Sequence, residues 1–372
     1  MKLAITHDYL RDFRGGERVV AAMHEVWPDA PIYTSVLDEP KMRRQGWNFE
    51  GVKIVTSFMQ GFWYPLRNKL PRYYFTLFFP IAFMFFDFSK FDVVLSSASY
   101  AGKYIRKGRA IHISYIHTPP RFLWGYDTDI NIKHMNPLEQ LLSRALKGII
   151  KWFDINRAET IDYFIANSET VKRRIKDAYG REATVIYPPV DTERFNGTSA
   201  DKGYYVVISA LGEYKKVDLV VQAFNQLNLS LKVIGEGPQL EYLRKIAGPK
   251  VEILGRLPDQ ETADILLGCR AFIFPTEEDF GITVVEAMAA GKPVLAYEAG
   301  GATETVIAGQ TGEFFTNQTV ESIVEAVKKF DPAKYKAEDC RTQAKKFDKK
   351  VFQHKIKDFV EEAYSVKISQ EG

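Results

Sequence analysis

The chain has 372 residues, 46% of them hydrophobic and 26% charged, which is typical of a soluble globular protein large enough for two domains. A formal net charge of +3 is too small to indicate nucleic acid as a partner, and Cys269 and Cys340 are too few and too far apart for a metal site or a disulfide framework. No secretory signal opens the sequence, so we expect a cytoplasmic location.

Short apolar runs alternate with longer amphipathic stretches, which is the pattern of parallel sheets wound with helices. The predicted strands of the first half are LAIT (3–6), APIYTSV (30–36), VKIVT (52–56), DVVLSS (92–97), HISYIH (112–117), YFIANS (163–168) and ATVIYPP (183–189). Those of the second half are YYVVISAL (204–211), LSLKVIGEG (229–237), VEILGRL (251–257), AFIFP (271–275) and PVLAY (293–297). The sequence therefore predicts an α/β protein with two doubly wound, Rossmann-like parallel-sheet domains.

The domain boundary is predicted at Tyr187-Pro188-Pro189, because proline cannot continue a helix or donate to a central strand ladder. We expect one domain over residues 1–187 and a second over residues 188–347. Asp348 to Ile368 has the pattern of a final helix, with Asp348 as a possible N-cap.

An unusually aromatic segment, Tyr73–Phe88, follows a basic stretch that begins at Trp63. Its apolar part is shorter than the roughly 20 residues that a membrane-crossing helix needs, and Pro80 interrupts it. Two interpretations stay open. The segment is a buried helix beneath the N-terminal sheet, or Trp63–Phe88 is a basic-aromatic surface that contacts a membrane peripherally and presents a lipid-linked acceptor.

The most informative stretch is Phe272–Tyr297, in which a strand leads through an acidic loop into a helix near residue 282. The first N–H groups of such a helix bind a diphosphate well. Glu278 and Glu286 flank that helix start and can accept hydrogen bonds from sugar hydroxyls. This arrangement suits a nucleotide sugar. The alternative is a carboxylate favoured by the helix dipole beside an ordinary helix glutamate.

Further polar residues follow the first predicted strand. His7 and Asp8 end that strand, where open parallel sheets bind ligands. Gly15 and Gly16 then open a helix and would let its backbone approach a ligand closely, although a simple turn explains two glycines equally well.

A later loop carries another set of candidates. His117 ends a predicted strand, and the Thr-Pro-Pro after it favours an extended exit that leaves the ring facing a cleft. The alternative for His117 is a structural hydrogen bond. Trp124 and Tyr126 continue this loop and could stack on an acceptor sugar.

Lys215 and Lys216 stand at a predicted helix start, where positive charge opposes the helix dipole unless an anion lies nearby. A solvated charged turn is the alternative. No Asp-x-Asp pattern of a donor-metal site stands out, so we expect a metal-independent site without a cofactor.

Glu278-Asp279-Phe280-Gly281, followed by EAMAAGKPV (286–294), resembles the donor-site signature of the retaining glycosyltransferases of family 4, which have the GT-B fold. HDYLRDFRGGERVV (7–20) resembles the acceptor-side loop of the same family, and the resemblance extends from Leu3 to about Phe315. It implies an N-terminal acceptor-binding domain and a C-terminal nucleotide-sugar domain that face a cleft, with the last helix packing back on the first domain.

The resemblance also implies residue roles. It places the donor at the Gly15-Gly16 helix opening, the Lys215 turn, two glycine turns and the Glu278 loop. The residues are Gly16, Lys215, Lys216, Gly235, Arg256, Leu257, Glu278, Phe280, Gly281, Ile282, Thr283 and Glu286. The expected acceptor contacts are His7, Asp8, Gly15, Trp124 and Tyr126, and the residues expected to act in catalysis are His117, Lys215 and Glu278.

One departure from the family pattern concerns the diphosphate. The family usually has an arginine five residues before the lysine, where this chain has Ala210. Either another basic residue, Lys216 or Arg256, compensates, or the enzyme is slow or altered. HDYL (7–10) with GGER (15–18), SYIHTPPR (114–121) and YPPVD (187–191) together resemble bacterial mannosyltransferases of surface polysaccharide synthesis. This resemblance implies a hexosyltransferase with GDP-mannose as leading donor and UDP-sugars behind it. The expected acceptor is a saccharide or lipid-linked hydroxyl at the cytoplasmic membrane face. A nucleotide-sugar epimerase and a weakened scaffold subunit are the alternatives.

Overall fold

The computed structural model describes residues 1–61, 78–126, 137–197 and 199–371. The chain forms two compact units, Met1–Pro189 with Phe352–Gly372 and Val190–Val351. Each unit is built around one parallel sheet, as the alternation of apolar runs and amphipathic stretches predicts.

The first unit contains a seven-stranded sheet with the order β3-β2-β1-β4-β5-β6-β7. Its strands are β1 (Leu3–His7), β2 (Ile32–Thr34), β3 (Ile54–Thr56), β4 (Val93–Ala98), β5 (Ile111–Ile116), β6 (Tyr163–Ala166) and β7 (Thr184–Val185). Its helices are α1 (Gly15–Val26), α2 (Glu39–Arg44), α3 (Phe79–Met84), α4 (Arg121–Trp124), α5 (Pro137–Ala158) and α6 (Glu169–Tyr179).

Strands β1, β4 and β5 are buried along their whole length, so both faces of this sheet are covered. Alternate residues enter different clusters, because successive side chains of a strand point to opposite faces. Leu3 and Ile5 belong to one cluster and Ala4 to the other. The sheet is therefore the middle layer of a three-layer unit.

The second unit contains a six-stranded sheet with the order β10-β9-β8-β11-β12-β13. Its strands are β8 (Tyr204–Ile208), β9 (Ser230–Ile234), β10 (Val251–Gly255), β11 (Ala271–Phe274), β12 (Val294–Tyr297) and β13 (Gly312–Phe315). Its helices are α7 (Val217–Leu227), α8 (Leu240–Ile246), α9 (Asp259–Gly268), α10 (Ile282–Ala289), α11 (Ala302–Thr305), α12 (Val320–Lys329) and α13 (Ala337–Lys345). The sequence predicted every strand except the edge strand β13.

The last helix, α14 (Lys349–Glu371), begins at the end of the second unit, and its later turns belong to the first. Asp348 caps it as predicted, since its Oδ1 accepts the N–H of Lys350 at 2.9 Å. Phe352, Ile356 and Val360, which are spaced by four residues, are buried in the first unit's core. Each such side chain contributes roughly 1.5–3 kcal/mol of burial free energy.

The aromatic segment is described only from Phe78 onward, so the expectation for residues 63–77 lies outside the described residues. In α3, Phe79 and Phe83 are buried beneath the sheet, as one interpretation predicted. Phe78 and Phe85 are exposed by 52% and 75%, so the segment also presents an aromatic surface. Among the described helices, none has the length and apolar character required to cross a membrane.

Candidate functional site

Two residues from separate motifs meet in the second unit. The ammonium Nζ of Lys215 lies 2.5 Å from Glu278 Oε1. Lys215 follows β8 and Glu278 follows β11, and these neighbouring strands mark the point where the strand order reverses direction. Open α/β sheets bind ligands at the carboxyl ends of strands at such a point.

Local backbone geometry brings the lysine to this position. A single 3-10 turn, Glu213–Lys215, is closed by the Lys215 N–H, which donates to the Gly212 carbonyl at 3.0 Å. Lys216 then takes a left-handed conformation (φ 55°) and precedes α7. Such a conformation in a non-glycine residue costs about 1–3 kcal/mol. Lys215 is 7% exposed, so its charge is held in a partly desolvated place.

The predicted helix after the acidic loop is confirmed as α10, which begins at Ile282. Gly281 precedes it with φ 85°, a conformation that favours glycine. The first N–H groups of a helix, here from Ile282 and Thr283, have no partner within the helix itself. Such N–H groups, together with the helix dipole, favour an anion near this helix start, and binding of one here stays a prediction.

The Phe280 side chain is packed inside the unit. It is 3% exposed, and its ring lies 5.5 Å from the ring of Phe347. Of this expected donor-site residue, only the backbone can therefore contribute to a ligand site.

Gly300 and Gly301, which the sequence analysis did not select, pack against the backbone of the Glu278 loop. The Gly301 N–H donates to the Glu278 carbonyl at 2.9 Å. A Cβ at Gly301 would lie 2.2 Å from Phe280 Cα, and one at Gly300 would lie 2.2 Å from the Glu278 carbonyl oxygen. Two adjacent glycines after β12 could have indicated this role, because they follow the carboxyl end of the strand next to β11.

Glu286 lies in α10, one helical turn beyond its start. Its Oε1 lies 3.7 Å from Arg194 Nη1, which also lies 3.4 Å from Asp259 Oδ2. The side chain of Glu286 is 13% exposed, so it remains partly accessible. Arg194 had been given no role from the sequence.

The two expected glycine-turn elements follow β9 and β10, on the same side of β8. Gly235 allows a close approach, since a Cβ there would lie 1.8 Å from the Ser209 carbonyl oxygen. Arg256 pairs with Glu236 at 3.0 Å, and Leu257 beside it is partly buried. These residues line the carboxyl edge of the second sheet.

In the first unit, His7 is held by groups from two other elements, β4 and α1. Its Nδ1 lies 2.8 Å from the Ser97 carbonyl, and its Nε2 lies 3.8 Å from Glu17 Oε1. Burial lowers the pKa of His7, but the nearby Glu17 carboxylate, then the charge of Asp8 and the Ser97 carbonyl, outweigh it and raise the pKa above 6.5. Glu17 was not among the expected site residues.

His117 lies beside His7, with ring centroids 6.2 Å apart. Its Nε2 is 2.8 Å from Ser97 Oγ. Burial first, and then the charge of His7, lower the pKa of His117 to about 3, so it is neutral at physiological pH. A Cβ at Gly16 would touch both rings, at 3.5 and 3.6 Å. The structure thus brings His7, Gly16 and His117 together.

Gly15 is the first residue of α1 and completes the predicted helix opening. Asp8 has a structural arrangement. Its carboxylate accepts the N–H groups of Ser99, Tyr100 and Gly102 at 2.8, 3.0 and 2.6 Å. Contact between Asp8 and an acceptor stays a prediction.

Trp124 and Tyr126 lie in and just after α4. The indole Nε1 of Trp124 donates to Asp154 Oδ2 at 3.1 Å, and Lys151 Nζ lies 4.0 Å from its ring centroid. Arg174 lies 4.4 Å from the ring centroid of Tyr126. Both rings are held by cation–π contacts, and their stacking on a sugar stays a prediction.

Within the described ranges, no group of three or more His, Cys, Asp or Glu side chains is arranged to hold a metal ion. The expected metal independence therefore stays a prediction.

Comparison with known proteins gives two family matches in succession. The model described as Glycosyltransferase Family 4 matches residues 13–194, and that described as Glycosyl transferases group 1 matches residues 190–347. Together they cover residues 13–347.

Two curated relatives and one solved structure illustrate the similarity. The uncharacterized glycosyltransferase MJ1178 of Methanocaldococcus jannaschii is 27% identical over 216 residues, 56% of this chain and 61% of that protein. The GDP-mannose-dependent alpha-(1-6)-phosphatidylinositol monomannoside mannosyltransferase of Mycolicibacterium smegmatis is 29% identical over 192 residues, 43% of this chain and 50% of that protein. This chain thus spans less than two thirds of the length of these relatives.

The solved structure is that of Anabaena HepE in complex with UDP and glucose. It superposes with a TM-score of 0.71, covering 97% of this chain and 99% of that one at 18% identity. At that identity the similarity concerns the fold alone, which is GT-B.

Proposed function

Because this chain belongs to glycosyltransferase family 4 and has the GT-B fold, we propose that it is a retaining hexosyltransferase that moves mannose from GDP-mannose to a hydroxyl of a saccharide or lipid-linked acceptor. The observation that carries the proposal is the Lys215–Glu278 pair at the carboxyl ends of β8 and β11. GDP-mannose is favoured over UDP-glucose because the mannosyltransferase relative matches by sequence, whereas HepE matches at the level of the fold.

The chemistry requires that negative charge on the departing diphosphate be neutralised. Lys215 and the first N–H groups of α10 would do this, since a fixed ammonium and oriented amides stabilise developing charge without a metal. Glu278 would hold hydroxyls of the transferred sugar, and Glu286 those of the ribose.

Retention of configuration requires attack on the face from which the diphosphate leaves. The acceptor oxygen would bond to the sugar's anomeric carbon as the bond to the phosphate oxygen breaks. A phosphate oxygen would then take the acceptor's proton. Neutral His117 would contact a sugar hydroxyl by hydrogen bonding, in keeping with its lowered pKa of about 3.

A thermal-shift panel with GDP, UDP, ADP, GDP-mannose and UDP-glucose, with and without EDTA, tests the donor site. A ligand that binds only the native state stabilises it in proportion to the logarithm of its concentration over Kd. We expect guanine nucleotides to raise Tm equally with and without EDTA. A rise in Tm with uridine nucleotides alone would indicate a UDP-sugar donor instead of GDP-mannose. A rise in Tm that EDTA abolishes would contradict metal independence.

Two further arms separate the other functions. Donor turnover that needs no added acceptor and yields an isomeric nucleotide sugar would indicate an epimerase. Turnover no greater than that of Glu278→Ala would indicate a scaffold protein.

A further inference from the structure

A buried carboxylate outside the donor site collects four hydrogen-bond donors. Asp154, in α5, is fully buried. Its Oδ1 lies 2.9 Å from Lys103 Nζ and also accepts the hydroxyl of Tyr104. Its Oδ2 accepts the Tyr179 hydroxyl at 2.9 Å and the Trp124 indole N–H at 3.1 Å.

These donors come from different parts of the first unit. Lys103 ends a 3-10 turn, Ala101–Lys103, that follows β4, while Trp124 ends α4 after β5 and Tyr179 ends α6. Asp154 therefore accepts hydrogen bonds from the segments that follow two neighbouring central strands, β4 and β5.

The same 3-10 turn is bound on its other side to Asp8. The Gly102 N–H donates to Asp8 Oδ1 at 2.6 Å, and the Gly102 carbonyl accepts the Thr6 hydroxyl at 2.6 Å. The turn thus joins the end of β1, where His7 stands, to Asp154 and through it to Trp124.

The charge pair at the centre of this network is a poor source of stability. Lys103 and Asp154 are both fully buried, and burying two charges costs about as much as their attraction returns. An apolar pair of similar volume would remove that cost, but the hydroxyls of Tyr104 and Tyr179 would then lose their acceptor. The carboxylate instead orients a side chain, because its hydrogen bond holds the indole N–H of the half-buried Trp124 toward the interior.

We propose that Asp154 is a positioning residue that sets the orientation of Trp124 for the acceptor sugar. The inference rests on the proposed function for the acceptor role of Trp124. The new element is that acceptor affinity depends on the buried Lys103–Asp154 ion pair, which contacts no substrate.

The test uses the full chain with GDP-mannose as donor and octyl α-D-mannopyranoside as acceptor probe. The double variant Lys103→Met, Asp154→Leu removes both charges together, so that no single buried charge remains, and it removes the acceptor of the Trp124 indole N–H without substituting Trp124 itself. Tyr179→Phe is the matched control, since it removes a different donor to the same Asp154 oxygen.

We expect the double variant to raise the KM for the mannoside about tenfold or more, the scale of one hydrogen bond to a charged group, with the KM for GDP-mannose unchanged. The control should retain a mannoside KM near that of the wild type. Equal changes in both variants, no change in the double variant, or a parallel change in both KM values would overturn the proposal.

Two further measurements test the proposal if the kinetic comparison fails. If the double variant does not fold, hydrogen exchange of the Trp124 indole N–H is measured by NMR in the wild-type protein. A proton bound to a buried carboxylate exchanges slowly, so rapid exchange would contradict the proposal. If no sugar is transferred, the proposed function fails, whereas mannoside binding by calorimetry still compares the variants. Absence of mannoside binding to the wild type would overturn the inference itself.

Discussion

At the scale of single residues, the pKa of His7 makes stability depend on pH in a defined direction. A histidine whose folded-state pKa lies above its unfolded value of about 6.5 stabilises the fold below that value, and the contribution is lost as pH rises through the folded pKa. Burial lowers the pKa values of His112 and His117 to about 3, so these two histidines destabilise the fold as pH falls below 6.5. Comparison of variants is needed to isolate His7.

Glu17→Gln is predicted to remove the charge that raises the pKa of His7. The loss of unfolding free energy should be largest below pH 6.5 and should shrink as pH rises above the folded pKa of His7. Urea unfolding of both proteins across this range measures it. Glu321→Gln, at an exposed position in α12, is the control, and a difference independent of pH would contradict the assignment.

Gly301→Ala is predicted to displace the Glu278 loop, because the added methyl would lie 2.2 Å from Phe280 Cα. Overpacking of this kind costs about 1–3 kcal/mol. Both Tm and GDP affinity should fall. Gly197→Ala, in the same unit, is the matched control, since its methyl meets only an ordinary contact with Leu267 at 3.5 Å and should leave Tm and GDP affinity nearly unchanged. Unaltered GDP binding by Gly301→Ala would exclude the supporting role.

At the scale of elements, the sequence predicted what local pattern determines. Short apolar runs predicted twelve of the thirteen described strands, and the acidic loop before α10 predicted the helix start. Strand β13 was missed because GEFF is short and lies at the sheet edge, where only one neighbour, β12, constrains it.

The site residues that were missed depend on tertiary contacts. Glu17 faces His7 only because α1 folds back beside β1, and Asp154 has no local motif at all. Gly301 supports the Glu278 loop because β11 and β12 are neighbours. No single segment contains these relations.

Two basic residues could compensate for the arginine that the family usually has at the position of Ala210. Arg256 follows β10, two strands from β8 and thus about 10 Å away across the sheet, and it is paired with Glu236. Lys216 directly follows Lys215. We predict that Lys216→Ala weakens GDP binding about tenfold and Arg256→Ala less, as measured by calorimetry. The reverse order would identify Arg256 as the compensating cation.

At the scale of the whole molecule, the exposed aromatic surface around α3 predicts peripheral membrane contact. Phe58 and Phe85, whose rings lie 5.8 Å apart, are exposed together with Phe78. Exposed aromatic residues favour the membrane interface. Phe78→Ser combined with Phe85→Ser should lower cosedimentation with anionic phosphatidylglycerol vesicles several-fold, whereas Tyr242→Ser, an exposed control in the second unit, should not. Equal binding by all three proteins would contradict the prediction.

The proposed activity depends most directly on the Lys215–Glu278 pair, and transfer of radiolabelled mannose from GDP-mannose to octyl α-D-mannopyranoside tests it. Wild-type protein should form the labelled disaccharide glycoside. Glu278→Ala should lose at least a hundredfold in rate, on the order of what removal of one group that stabilises the transition state costs. Glu277→Ala, its exposed neighbour in the same loop, should remain close to wild type. Equal rates for the wild type and Glu278→Ala would contradict the account.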